Sequence, residues 1–175
     1  MDAARSKFPW YRAPPARDRL EGVLRRWVTT HPHLEYTQAL NAVACVVLEG
    51  TSGADDATTL ATFSRVLDVF CAGLLCRGAL GKVAEVRRLS QLCQVLAFVD
   101  PGLAVHLRTI GLDCELYAIP WCTTLFCDVL PMGLALATLD VLVTLDARMT
   151  LFMSAALLVC VREALMDAGD LGAAL

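Results

Sequence analysis

The residues with the most chemical promise lie between Thr30 and Gly50, in THPHLEYTQALNAVACVVLEG. A helix ending at His31-Pro32 is followed by a short polar turn, and an almost wholly apolar helix starts near Thr37. In its first turn sits Gln38, flanked by Tyr36 and Asn41. A side-chain amide both donates and accepts hydrogen bonds, so Gln38 at the mouth of a buried helix is placed to touch a ligand or a partner. By spacing alone, a Gln at a helix start is more often a capping or surface residue. Other candidates are weaker. His31 and His33 could ligate a metal, but no cysteine pair of zinc spacing stands near them. The pairs Cys71/Cys76 and Cys122/Cys127 match neither a CxxC knuckle nor a disulfide framework. Cys45, Cys93 and Cys160 fall inside apolar helices, where a free thiol behaves as a small hydrophobe. His106 reads as a hydrogen-bonded helix-face histidine, Tyr117 and Trp121 as core or groove anchors, and Asp55-Asp56 as helix capping. No GxxxxGK[ST], HExxH or GxSxG pattern occurs. A self-contained active site is absent from the sequence pattern, which points to a helical protein acting on, or with, another protein.

Composition narrows the class. The chain has 175 residues, 57% of them apolar, with mean hydropathy +0.56. The longest uncharged stretches, Tyr36–Leu48, Leu116–Cys127 and Met149–Val161, run only 12 or 13 residues, whereas a spanning helix needs ~20. Buried helices of an all-α domain explain them better. The net charge of −3 and the absence of a dense basic tract leave no electrostatic footprint for nucleic acid. MDAARSKFPWYRAPP has no apolar signal-peptide core, so a cytoplasmic location is expected.

Periodicity predicts helices throughout and no strand. Residues 1–15 read as an irregular arm because Pro9, Pro14 and Pro15 forbid a continuous helix. Trp10 and Tyr11 suggest that the arm packs, and Arg5 or Arg12 could reach a partner. Residues 16–167 form one helical domain, and 168–175 a frayed tail. Helices are expected over Ala16–Thr30, Thr37–Leu48, Ala57–Cys76 (ended by Gly78 and Gly81), Lys82–Val99, a short one opened by Asp100-Pro101, one with Pro120 in its first turn running to Leu130, Met132–Leu145 and Met149–Asp167. In the fourth of these, Val83, Val86, Leu89, Leu92, Val95, Leu96 and Val99 make the expected buried face.

The chain also carries a resemblance. Tyr36-Thr37-Gln38-Ala39-Leu40-Asn41 resembles the YxQGxN motif of TBC domains, the Rab GTPase-activating domains. Asp2-Ala3-Ala4-Arg5 resembles the DxxR part of that family's IxxDxxR motif. Asp100-Pro101, His106-Leu107, Leu116-Tyr117-Ala118-Ile119-Pro120-Trp121, Leu130-Pro131 and Leu139-Asp140 follow in the family's order. The set is most similar to the TBC domain of kinase-like members and covers about Asp2 to Asp167. It implies an all-α fold resembling the C-terminal two-thirds of a TBC domain. It also implies a Rab-type small GTPase as partner, an arginine finger at Arg5 and a glutamine finger at Gln38. Asp2 would pair with Arg5, and Tyr36 and Asn41 would support the Gln38 turn. The chain would need no cofactor of its own, since GTP and Mg²⁺ belong to the partner, and membrane association would come only through that partner.

The departures from the family pattern define a second expectation. Ala39 replaces the motif's Gly, Leu139 replaces a Trp, and the family's N-terminal RxxxW region has no counterpart in this sequence. If the motif needs φ > 0 after the Gln, Ala39 obstructs it. Without the RxxxW region Arg5 would sit on an unsupported arm, and the chain would be a catalytically inactive TBC-like module that binds a small GTPase or other proteins.

Overall fold

The structure, a computed structural model, describes residues 6–170 and Gly172. Among them it is all helical, with ten α-helices and one isolated antiparallel bridge, Leu34 to Cys76. After a 3-10 turn at Pro9–Arg12 come α1 (Ala16–Thr30), α2 (Leu40–Gly50), α3 (Asp56–Phe70), α4 (Ala72–Leu75) and α5 (Ala79–Val99). These are followed by α6 (Pro101–Thr109), α7 (Cys114–Thr124), α8 (Met132–Thr144), α9 (Met149–Cys160) and α10 (Arg162–Asp167).

The centre is α2. All nine residues from Leu40 to Leu48 are buried, so the helix must be covered on every side. It packs against α1, α3, α7 and α8. Leu20, Leu24 and Trp27 of α1 and Phe63 and Leu67 of α3 complete this core, with Trp27 stacked on His31 and edge-on to Phe63. A second cluster joins Leu92 and Leu96 of α5, Leu103 and Leu107 of α6, Tyr117 of α7 and Leu158 of α9. Trp121 packs against both clusters.

Helix α1 has the expected limits, and of the acids foreseen as caps Asp55 and Asp100 perform that role, whereas Asp56 is the first residue of α3. Asp55 accepts from Thr58 N at 2.7 Å, and Asp100 accepts from Leu103 N at 2.9 Å. Asp100 also receives Arg162 Nε at 2.6 Å, which ties α6 to α10.

Several expected boundaries are corrected. The arm is regular over Pro9–Arg12, and it packs through Tyr11 while Trp10 stays 52% exposed. Helix α2 starts at Leu40, because Thr37, Gln38 and Ala39 make i to i+3 bonds ahead of it. The third helix breaks at Cys71 and the last at Val161, both outside helical geometry. Val83, Val86 and Val99 are exposed, leaving Leu89, Leu92 and Leu96 as the buried face of α5. Pro120 lies inside α7 rather than in its first turn, and α7 stops at Thr124 because Leu125 and Phe126 take positive φ. Ala168 is no frayed residue: it is buried, and its carbonyl lies 3.1 Å from His106 Nε2.

Gly78 takes φ +67 just before α5, but Gly81 does not end a helix. It lies buried in the first turn of α5, where an added Cβ would overlap the Cys76 carbonyl. That overlap involves backbone and cannot be relieved by a rotamer. Gly81→Ala is therefore expected to lower stability by about 1–3 kcal/mol. Gly22→Ala in α1, where a Cβ meets nothing within 4 Å, should raise it by roughly 0.5–1 kcal/mol. Urea midpoints of the two variants check both signs.

Candidate functional site

The loop after α1 is fixed by backbone contacts that no local pattern announces. Glu35 N donates to Leu75 O at 2.6 Å, and Arg77 Nε donates to Leu34 O at 3.2 Å. These bonds clamp Leu34-Glu35 to the α4–α5 junction and set where Tyr36 to Ala39 can lie. From there the chain turns into α2. The Gln38 carbonyl accepts from Asn41 N and the Thr37 carbonyl from Leu40 N, each at 3.1 Å. Gln38 is exposed on this turn, and Asn41, 3% exposed, faces the interior. Tyr36 Oη donates to Asn41 Oδ1 at 2.8 Å, bridging the two ends of the turn. Ala39 has φ −60 and ψ −26. This is ordinary right-handed geometry, so the turn demands no glycine, and the expected conformational obstruction is absent.

The arm runs along the face of α2 that carries Asn41. Ser6 is fully buried, with Oγ 3.3 Å from Cys45 Sγ, and Tyr11 Oη donates to Glu49 Oε2 at 3.4 Å. Asn41, Cys45 and Glu49 are spaced by four, so they share one helical face. Arg12 Nε donates to Ser6 O at 2.7 Å, and Lys7 Nζ donates to Leu130 O at 2.7 Å, in the turn after α7. Burial pushes the Cys45 thiol up to about 12, so it acts as a neutral hydrogen-bonding group. Burial also lowers Lys7, against the opposing charge of Asp128. Phe8, 4% exposed, belongs to the main core. The arm from Ser6 onward is therefore packed, as expected from Tyr11. Asp2 and Arg5 lie outside the described residues.

Comparison with known proteins decides the family. The profile of the Rab-GTPase-TBC domain matches residues 4–166. The chain belongs to that family. It is 28% identical over 157 residues to the TBC domain-containing protein kinase-like proteins of Homo sapiens and Gallus gallus. The alignment covers 90% of this chain and 17% of each relative, so the chain spans about a sixth of their length. The protein of the same name from Dictyostelium discoideum is 33% identical over 73 residues, covering 42% of this chain and 7% of that protein. The crystal structure of the Ypt/Rab-GAP domain of Gyp1p superposes with a TM-score of 0.77 at 17% identity, covering 97% of this chain and 61% of that one. The shared fold is thus that of a TBC domain.

In this TBC domain the structure brings Tyr36, Gln38 and Asn41 onto one turn at the entrance of α2. The sequence reading missed Ser6, Lys7, Glu35 and Arg77, which position that turn and the arm; each acts through a long-range backbone or thiol contact. His106 sits far along the chain from this turn, its Nε2 2.9 Å from Leu165 O, in a structural role. Among the described residues, no helix is long and apolar enough to cross a membrane.

Tyr36→Phe removes the hydroxyl that satisfies a buried amide oxygen. The expected cost is about 1–2 kcal/mol of stability. It should appear as a lower urea midpoint with an unchanged denaturant slope.

Proposed function

We propose that this TBC domain activates GTP hydrolysis by a Rab-family small GTPase, supplying Arg5 and Gln38 in trans. One observation carries the reading. The arm tracks α2 from Tyr11 at Glu49 to Ser6 at Cys45, that is, toward the helix entrance where Gln38 is exposed. Cys45 is one helical turn, about 5.4 Å, from Asn41. In the sequence, Arg5 immediately precedes Ser6.

Phosphoryl transfer requires an in-line water and donors facing the charge that builds on the phosphate oxygens. The guanidinium of Arg5 offers a planar fork of donors to that charge. The amide of Gln38 accepts from the attacking water and donates to the phosphate, the task that a GTPase's own Gln otherwise performs. Asp2 steadies Arg5 by an ion pair. Tyr36 and Asn41 hold the Gln38 turn, and because that turn is fixed before the partner arrives, its ordering cost is already met. GTP and Mg²⁺ are contributed by the partner. The protein acts in the cytoplasm, reaches endomembranes through that partner, and serves vesicle traffic.

A second reading, a non-catalytic module that binds a small GTPase, is favoured by one feature. Ala39 is half-buried beside Gln38 and presents a methyl where the family motif has a glycine. A GTPase surface that needs the space of a glycine would be held off there.

Single-turnover GTP hydrolysis across a panel of Rab GTPases separates the two. The catalytic reading expects acceleration by the chain, with Arg5→Ala and Gln38→Ala each losing at least about 100-fold while their thermal melts stay unchanged. A Rab that binds without acceleration replaces it by the second reading, and Ala39→Gly should then restore part of the rate. No binding to any Rab rejects both.

A further inference from the structure

A cavity of about 530 Å³ opens between α5, α6 and α7. That volume is in the range of small-molecule sites. The inner wall is aliphatic, built from Leu89 and Leu96 of α5, Leu107 of α6 and Leu112 in the turn before α7. Tyr117 adds only a ring face, because its hydroxyl already donates to Cys114 Sγ at 3.4 Å. A polar ligand group pushed against this wall would lose water without gaining a strong partner. An alkyl chain is the part of a ligand that suits it.

The mouth has the opposite character. Arg108, Asp113 and Glu115 line it, and all three are exposed. Asp113 stands at the cap position of α7 but makes no side-chain capping bond. Among the described residues, none of the three takes part in a side-chain hydrogen bond or ion pair. Both signs of charge therefore stand unpaired at the entrance to an apolar cavity. A head group of one sign meets attraction from one side and repulsion from the other. A head group carrying both signs can set its anion against Arg108 and its cation against Asp113 and Glu115.

We propose that this cavity binds a zwitterionic amphiphile, with the alkyl chain among the leucines and the head group bridging Arg108 to the two acids. The site shares no residue with the Gln38 turn, so it is a second site of the domain. Chain burial supplies most of the affinity. The exposed charges contribute less individually and select the head group, since solvent-exposed ion pairs are weak.

The test titrates the chain by calorimetry with octylphosphocholine, kept below its micellar concentration. Octyltrimethylammonium, octyl sulfate and octyl glucoside carry the same alkyl chain on other heads and run beside it. The expected result is saturable one-site binding of octylphosphocholine, about 5-fold or more tighter than of the other three. Arg108→Ala should weaken it about 3-fold. Arg108→Glu leaves the mouth wholly acidic and should make octyltrimethylammonium the preferred probe. Arg108 is exposed, so the thermal melts of both variants should match the parent. Location is read from alkylation rates. Cys114 is half-buried and lines the cavity, whereas the exposed Cys160 does not. Bound octylphosphocholine should slow alkylation of Cys114 several-fold and leave Cys160 unchanged. Absence of saturable binding below the micellar concentration overturns the proposal. So does equal affinity for all four heads, or binding that leaves Cys114 unprotected. Binding to phosphatidylcholine vesicles alone would also overturn it, in favour of a membrane surface.

Discussion

Everything in this TBC domain depends on the complete burial of α2. A helix with nine consecutive buried residues has no solvent face, so its neighbours are dictated by the area that must be covered. Each fully buried Leu or Val contributes about 1.5–3 kcal/mol relative to exposure, and no surrounding helix can be moved without losing part of that. The one strongly polar side chain in the buried run is Asn41. A buried amide needs partners, and the Tyr36 hydroxyl at 2.8 Å supplies one. The requirement to satisfy Asn41 and the requirement to fix the turn carrying Gln38 are met by the same hydrogen bond. Core packing and the proposed chemistry are in this way coupled through a single side-chain pair.

The same constraint shapes the arm and the turn after α7. Ser6, Phe8 and Tyr11 cover α2 and the core around it, while Lys7 reaches the carbonyls of Cys127 and Leu130. That turn contains Leu125 and Phe126 at φ 50 and φ 63. Such geometry costs of order 1–3 kcal/mol at each non-glycine residue. Both side chains are fully buried, and the Phe126 amide bonds back to Trp121 O at 3.1 Å. Burial and hydrogen bonding offset the strain. They also place Trp121 where it joins the two hydrophobic clusters, so the lobe containing α2 and the lobe containing α5 are held as one unit.

Much of this was readable from the residues alone. The apolar stripe of α1, the capping acids Asp55 and Asp100 and the buried run of α2 follow from local rules, because burial of one stripe and satisfaction of free helix-end donors leave direct marks on the sequence. The family motif, through resemblance, pointed to Gln38, Tyr36 and Asn41. The breaks at Cys71 and Val161 were hidden because apolar residues continue on both sides of each, and only tertiary packing decides where the axis turns. Pro120 misled because the first turn is its preferred place, whereas here Asp113 precedes a helix that already began at Cys114. The track of the arm was illegible for a different reason. Ser6 and Cys45 are 39 residues apart, and neither a serine nor a cysteine announces such a partner.

The central claim is that the entrance of α2 is built to meet the transition state of a partner's GTP hydrolysis rather than merely to bind that partner. The most direct measurement is the affinity of the chain for a GDP-loaded, Mg²⁺-bound Rab GTPase with and without aluminium fluoride, which completes a mimic of the transferring phosphate. Complementarity to the transition state predicts binding that tightens at least about 100-fold with the fluoride and loses that gain in Gln38→Ala. Equal affinity with and without the fluoride, or a gain that survives the substitution, would contradict the account.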